Sequence, residues 1–251
     1  MRKFIFLTIL NFKIIIKEKT FWAIGFLFIF LLGFSLFLGQ LSLGEKYTAL
    51  KIAALSIVEA TALLLIAIGF VFNFYKEKET RLQEVYLSHF SSLTYLGAKL
   101  AGYLLTCFFY IIIASFCLIL ILGKNFNFFF LLGPFGIFLK LSIFCALALL
   151  LSVVFNYPLL SASCLFFLYI GAELAYGAYK VAGTTKIVVG GVMAKVVYYI
   201  IPNADKLDFK YLAVYGQSLK TENILFIVSY VICYILFCFF LANLIFSYKE
   251  H

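Results

Sequence analysis

Three ionisable side chains, Glu59, Lys140 and Glu173, sit inside otherwise apolar runs of this 251-residue chain. At membrane depth such groups can carry ions, relay protons or line a substrate path, and they are functional candidates by default. The competing chemistry is structural: buried charges pair or hydrogen-bond and tie helices together. Insertion energy does not separate the two readings. The run around Glu59 holds twelve Leu, Ile, Val or Phe residues between 52 and 72. They contribute roughly 4–7 kcal/mol toward insertion, against about 3 for one central charge.

Spacing adds detail. Ala53, Ser56, Ala60 and Ala67 form a stripe of small residues suited to close helix packing. Glu59 lies about a quarter turn off that stripe, which places it near a helix interface. Gly171, Ala175 and Ala178 form a similar stripe, with Glu173 opposite and directed to a second contact or a wet cavity. Lys140 follows "FLLGPFGIF". Pro134 is expected to start that helix late and let the lysine snorkel outward.

Other chemistries find no support. The six cysteines (Cys107, Cys117, Cys145, Cys164, Cys233, Cys238) all lie in apolar runs, form no C-x-x-C pair, and read as small apolar fillers. The only histidines are His89 and the terminal His251. No zinc or haem-ligating cluster is expected, nor the nucleophile–base or metal set of an intramembrane enzyme. "LSLGEKYT" and "LILGKNF" lack the spacing of a phosphate-binding G-x-x-x-x-G-K-[ST] loop, so ATP hydrolysis by that route is excluded.

The elements that must position these residues are legible from composition. The chain is 65% hydrophobic and 12% charged, half the charge of an ordinary soluble domain. Six apolar runs, 21–43, 51–74, 100–122, 131–155, 158–180 and 224–246, each reach the roughly twenty residues that a bilayer core requires of a helix. They are too long and uninterrupted for barrel strands. The expected fold is an all-α polytopic membrane protein with six transmembrane helices in one permease-like domain, 1–251. The net charge of +9 sits mostly at run ends, where headgroups account for it, and no soluble domain exists for nucleic acid.

The N-terminal segment 1–19, "MRKFIFLTILNFKIIIKEK", has no A-x-A-like cleavage site and reads as a helix lying in the headgroup region. It holds five Lys or Arg residues, and the stretch 73–100 holds four. Only Lys46 and Lys51 separate the first two runs, and Lys124 follows the third. The positive-inside rule therefore puts both termini and the 75–96 loop in the cytoplasm. The outer segment 181–223 runs against this count with five lysines, although longer loops weigh less. Gly190, Gly191 and Pro202 break its apolar stretch, which points to short helices dipping into the outer leaflet.

Within the 75–96 loop, Leu82, Val85, Tyr86, His89 and Leu93 recur at three- and four-residue steps, an amphipathic helix. The other face carries Glu79, Gln83, Glu84 and nearby Arg81. Such a helix could float at the headgroups or dock a cytoplasmic partner. A simple connection needs only a few residues, so length and patterning favour docking.

In this order and placement the chain resembles the permease subunit of type-2 ABC transporters, the ABC-2 exporters. Glu79, Thr80, Leu82, Gly97 and Lys99 are similar to that family's acidic, Gly-Thr-Leu and Gly-Lys positions, with Arg81 set between Thr80 and Leu82 and Ala98 between Gly97 and Lys99. "YYIIPNADKLDF" resembles its aromatic Pro-Asn segment before the last span, and "LIFSYKE" its ending. The likeness covers nearly the whole chain. It implies an interfacial helix, a coupling helix and outer re-entrant helices in a cell (inner) membrane. It further implies a separate cytoplasmic ATPase, holding ATP and Mg, docked on the coupling helix through Glu79, Arg81, Leu82, Glu84, Val85, Tyr86 and His89. A second permease subunit completes the assembly, and the chain itself is not an enzyme and holds no cofactor. A haem-exporter-like ABC permease shares the six-span plan. From a different class, a secondary transporter or channel would use Glu59 and Glu173. That class favours discontinuous helices at matching places in two repeats, and no repeat is visible here.

Overall fold

The structure, a computed structural model, describes residues 2–41, 46–123, 126–184, 201–217 and 221–250. Of the outer segment 181–223, residues 185–200 and 218–220 lie outside the described residues, and with them Lys186, Gly190, Gly191 and Lys220. The described chain is helical, without strands. In order it comprises α1 (Arg2–Lys17), α2 (Lys19–Leu41), α3 (Lys46–Leu64), a π-helical turn (Leu65–Phe70), α4 (Val71–Glu79), α5 (Leu82–His89) and α6 (Ser92–Leu122). A 3₁₀ turn (Phe128–Leu131) leads into α7 (Leu132–Val154), followed by α8 (Pro158–Thr184). A second 3₁₀ turn (Asp205–Leu207) then leads to α9 (Lys210–Tyr215) and α10 (Thr221–Glu250).

Six helices are long and apolar enough to cross a membrane, one for each apolar run, which marks an integral membrane protein. The second span is the continuous rod Tyr47–Glu79 of 33 residues. Its length of about 50 Å exceeds a hydrocarbon core of about 30 Å. Residues 75–79 are therefore the end of a span helix and not a loop, because Lys76, Glu77, Lys78 and Glu79 are good helix formers. The break comes at Arg81, whose left-handed φ of 57° turns the chain into α5. Ser91 then restarts the helix by accepting a hydrogen bond from the Thr94 backbone N–H at 3.4 Å. Leu93 thus belongs to α6 and leaves the amphipathic pattern expected of α5.

Helix α7 and the second span are the most buried of the six, and α10, which packs along α7, has the smallest buried share. At its end, the Lys249 ammonium donates to the Val153 and Val154 carbonyls at 2.7 and 2.8 Å, capping α7. Two glycines set close approaches. A Cβ on Gly102 would stand 2.8 Å from the Asn11 Cβ, so only glycine lets α1 lie across α6 at this depth. A Cβ on Gly136 would stand 2.7 Å from the Leu207 carbonyl, so glycine admits the 201–217 segment as a roof over the start of α7.

The packing face of α3 differs from the small-residue expectation. Ser56 and Ala60 are exposed, while Leu55, Val58, Glu59, Ala62 and Leu63 face inward. The helix presents its glutamate to its cationic partners, and of the small stripe Ser56 and Ala60 lie outside, Ala53 is half-buried and Ala67 is buried.

Candidate functional site

The ionisable residues of the spans meet in one buried cluster. Glu59 comes from α3, Lys140 from α7, Tyr169 and Glu173 from one face of α8 at i and i+4, and Lys210 from the start of α9. The Lys140 ammonium pairs with the Oε1 atoms of both Glu59 and Glu173, and Lys210 pairs with the other oxygen of Glu59. The Tyr169 hydroxyl donates to Glu59 Oε1 at 2.7 Å. Its ring lies 5.1 Å from the Lys140 nitrogen and is braced edge-on by Phe144. Asp208 sits at the rim, its carboxylate 4.0 Å from the Lys210 ammonium and accepting from the Lys210 backbone N–H at 3.1 Å.

Lys140 does not snorkel. Its helix starts at Leu132, before Pro134, and the ammonium is buried between two carboxylates instead of reaching a membrane surface. Glu59 is equally buried, whereas the Glu173 side chain is 35% exposed and forms the open edge of the cluster. Two carboxylates thus pair with two ammoniums, and Asp208 adds a third carboxylate at the rim. The arrangement can tie α3, α7, α8 and the α9 roof together, and Glu173 offers a charged contact to whatever lies beside α8. Among the described residues no three His, Cys, Asp or Glu side chains could hold a metal ion.

A second buried ionic group lies 18 residues further along the same rod, about 27 Å away. Glu77 pairs with Lys99, and the Tyr95 hydroxyl donates to the same Glu77 oxygen at 2.9 Å. The ammonium is enclosed by the rings of Phe74, Tyr95 and Tyr103, with centroids 5.1, 5.6 and 5.9 Å away. The other Glu77 oxygen is buried and has no hydrogen-bond partner among the described residues. Between the two groups, at the end of the π-helical turn, the Phe70 carbonyl accepts from the Tyr103 hydroxyl at 3.0 Å.

The short helix α5 lies beside this second group. Tyr86 turns inward and stacks on Tyr95 at 6.0 Å, and Tyr95 stacks on Phe246 of α10 at 6.2 Å. Burial, and next the Glu77 carboxylate, push the Tyr86 phenol above its usual range. Gln83 and Leu87 share the inward side, so Gln83 departs from the exposed face expected of it. The outward side is open: Leu82 is 44% and Val85 56% exposed, and Glu79, Arg81, Glu84 and His89 are exposed around them. The His89 ring is fixed by Ser88 Oγ at 2.7 Å and the Val85 carbonyl at 3.0 Å.

Sequence reasoning missed Lys210, Tyr169 and Glu77, and took Lys99 for a loop charge. Charge balance was the available signal. A span lysine and two span glutamates leave one negative charge over and so call for another cation, although "DFK" carries Asp208 beside Lys210. Comparison with known proteins gave no matching family model, no matching curated protein and no matching solved structure.

Proposed function

We propose that this chain is the membrane-spanning subunit of an ATP-binding-cassette exporter of the type-2 kind, driven by a separate cytoplasmic ATPase docked on α5. The observation that carries the reading is the outward face of α5. A helix held between two overlong spans exposes Leu82 and Val85, ringed by Glu79, Arg81, Glu84 and His89. Apolar centre and charged rim are the composition of a protein-docking patch. Tyr86 gives that patch a mechanical link inward, through Tyr95 to the Glu77–Lys99 pair and to Phe246. In this reading ATP and Mg belong to the ATPase, and both termini and α5 face the cytoplasm. A second permease subunit lies beside this one, and the Glu59 cluster lines or braces the substrate path.

The test is co-purification of the detergent-solubilised chain from its native host. The wild type is expected to bring down an ATPase carrying a G-x-x-x-x-G-K-[ST] loop, and the Leu82→Asp/Val85→Asp variant to lose it. Both changes are at exposed positions, so insertion should be unaffected; equal elution volumes check this. Absence of any such ATPase from both preparations would overturn the reading.

A second reading rests on Glu173. Its part-exposed carboxylate, joined through Lys140 to buried Glu59, suits an ion- or proton-coupled carrier. Transport that persists in liposomes without ATP, and fails in Glu173→Gln, would favour it.

A further inference from the structure

We propose that the groove between α1, α2 and α6 binds one anionic phospholipid, with an acyl chain in the groove and the phosphate at Lys13 and Lys17. This site does not rest on the transport reading. The groove has a volume of about 600 Å³. Phe12 and Ile16 of α1 form one wall, Trp22, Phe26 and Ile29 of α2 another, and α6 closes the back through Phe109. Its one hydroxyl, that of Tyr110, is already spent on Thr61 Oγ1 at 2.8 Å, so the ring alone faces the groove. A Cβ added at Gly25 would meet nothing within 4 Å, so the glycine leaves the space open.

The position of the groove selects its occupant. It runs along the first and third membrane-spanning helices, and Trp22, Phe26 and Ile29 are exposed, so it opens sideways into the hydrocarbon. An open apolar groove at that depth is filled by an acyl chain, held by close packing against rigid aromatic walls. Charge selects the headgroup. Lys13 follows Phe12 and Lys17 follows Ile16, so both stand about 100° round α1 from the groove wall, on the side away from buried Asn11 and Ile15, and Lys17 also lines a neighbouring cleft with Glu18 and Lys76. Both are exposed, and neither forms an ion pair among the described residues. A basic residue at an anionic membrane surface contributes a preference of about fivefold, so the pair predicts about 25-fold.

The full-length chain in mild detergent, mixed with equimolar phosphatidylglycerol and phosphatidylcholine of the same acyl composition, is read by native mass spectrometry. The wild type is expected to retain one phosphatidylglycerol, preferred by about 25-fold. Lys13→Gln/Lys17→Gln, at two exposed positions, should bind both lipids equally. Gly25→Phe fills the groove and should lose both, with Gly25→Ala as the milder control, while circular dichroism stays unchanged. Equal retention of the two lipids by the wild type would overturn the site, as would an unaltered adduct on Gly25→Phe. A change of oligomeric mass on Gly25→Phe in place of lipid loss would also overturn it, by assigning the groove to a second copy of the chain.

Discussion

The Glu59 cluster and the Glu77–Lys99 pair bury charge about 27 Å apart on the same helical rod, by different means. Glu59 meets two ammoniums and a tyrosine hydroxyl drawn from α7, α8 and α9, so its charge is shared among elements far apart in sequence. Glu77 meets one ammonium and one hydroxyl, both from the next long helix, and an aromatic box encloses that ammonium in place of a second carboxylate. The first arrangement fastens a roof to three spans. The second joins α5 to the long helices beside it. Redundancy at one end and singularity at the other predict that the two sites respond differently to the same kind of damage.

The largest expected effect is at the site without redundancy. Lys99→Met leaves Glu77 buried with only the Tyr95 hydroxyl and should cost about 4 kcal/mol, seen as lost thermal stability in detergent. Removing both charges in Glu77→Leu/Lys99→Met should restore most of it, since apolar replacement of a whole buried pair is often near neutral. Lys140→Met should cost less, about 3 kcal/mol, because Lys210 and Tyr169 still hold Glu59 and the stranded Glu173 reaches solvent or headgroups. A larger loss for Lys140→Met than for Lys99→Met would break the comparison. Tyr169→Phe removes one hydrogen bond to a carboxylate and should cost about 1.5 kcal/mol by the same assay. The smallest effect carries the opposite sign: Arg81→Gly relieves a left-handed backbone and should stabilise by about 1 kcal/mol.

The six spans were legible because membrane thickness writes itself into run length, a one-dimensional signal. Their ends were less so. Lys99 stands just before the apolar run that begins at Leu100, yet its helix starts at Ser92, capped by Ser91, and the lysine is buried because Glu77 neutralises a charge that hydropathy counts as exposed. The same limit applies to Lys140, where a proline six residues earlier suggested a late start and Glu59, 81 positions away, decided the outcome. Glu59 itself stands at an interface, as its spacing suggested, but its partners there, Lys140 and Lys210, lie in elements that the small-residue stripe could not indicate. For α5, periodicity found the helix. It could not separate Tyr86 from Val85, because the stacking ring of Tyr95 lies in another helix.

Site-specific photocrosslinking in native membranes tests the docking claim most directly. A photoreactive phenylalanine analogue is placed at Val85 in one sample and at exposed Tyr211, beside the Glu59 roof, in another. The account predicts an adduct at Val85 whose mass and peptides identify a nucleotide-binding ATPase, and no such adduct at Tyr211. No ATPase adduct at Val85, or equal adducts at both positions, would contradict it.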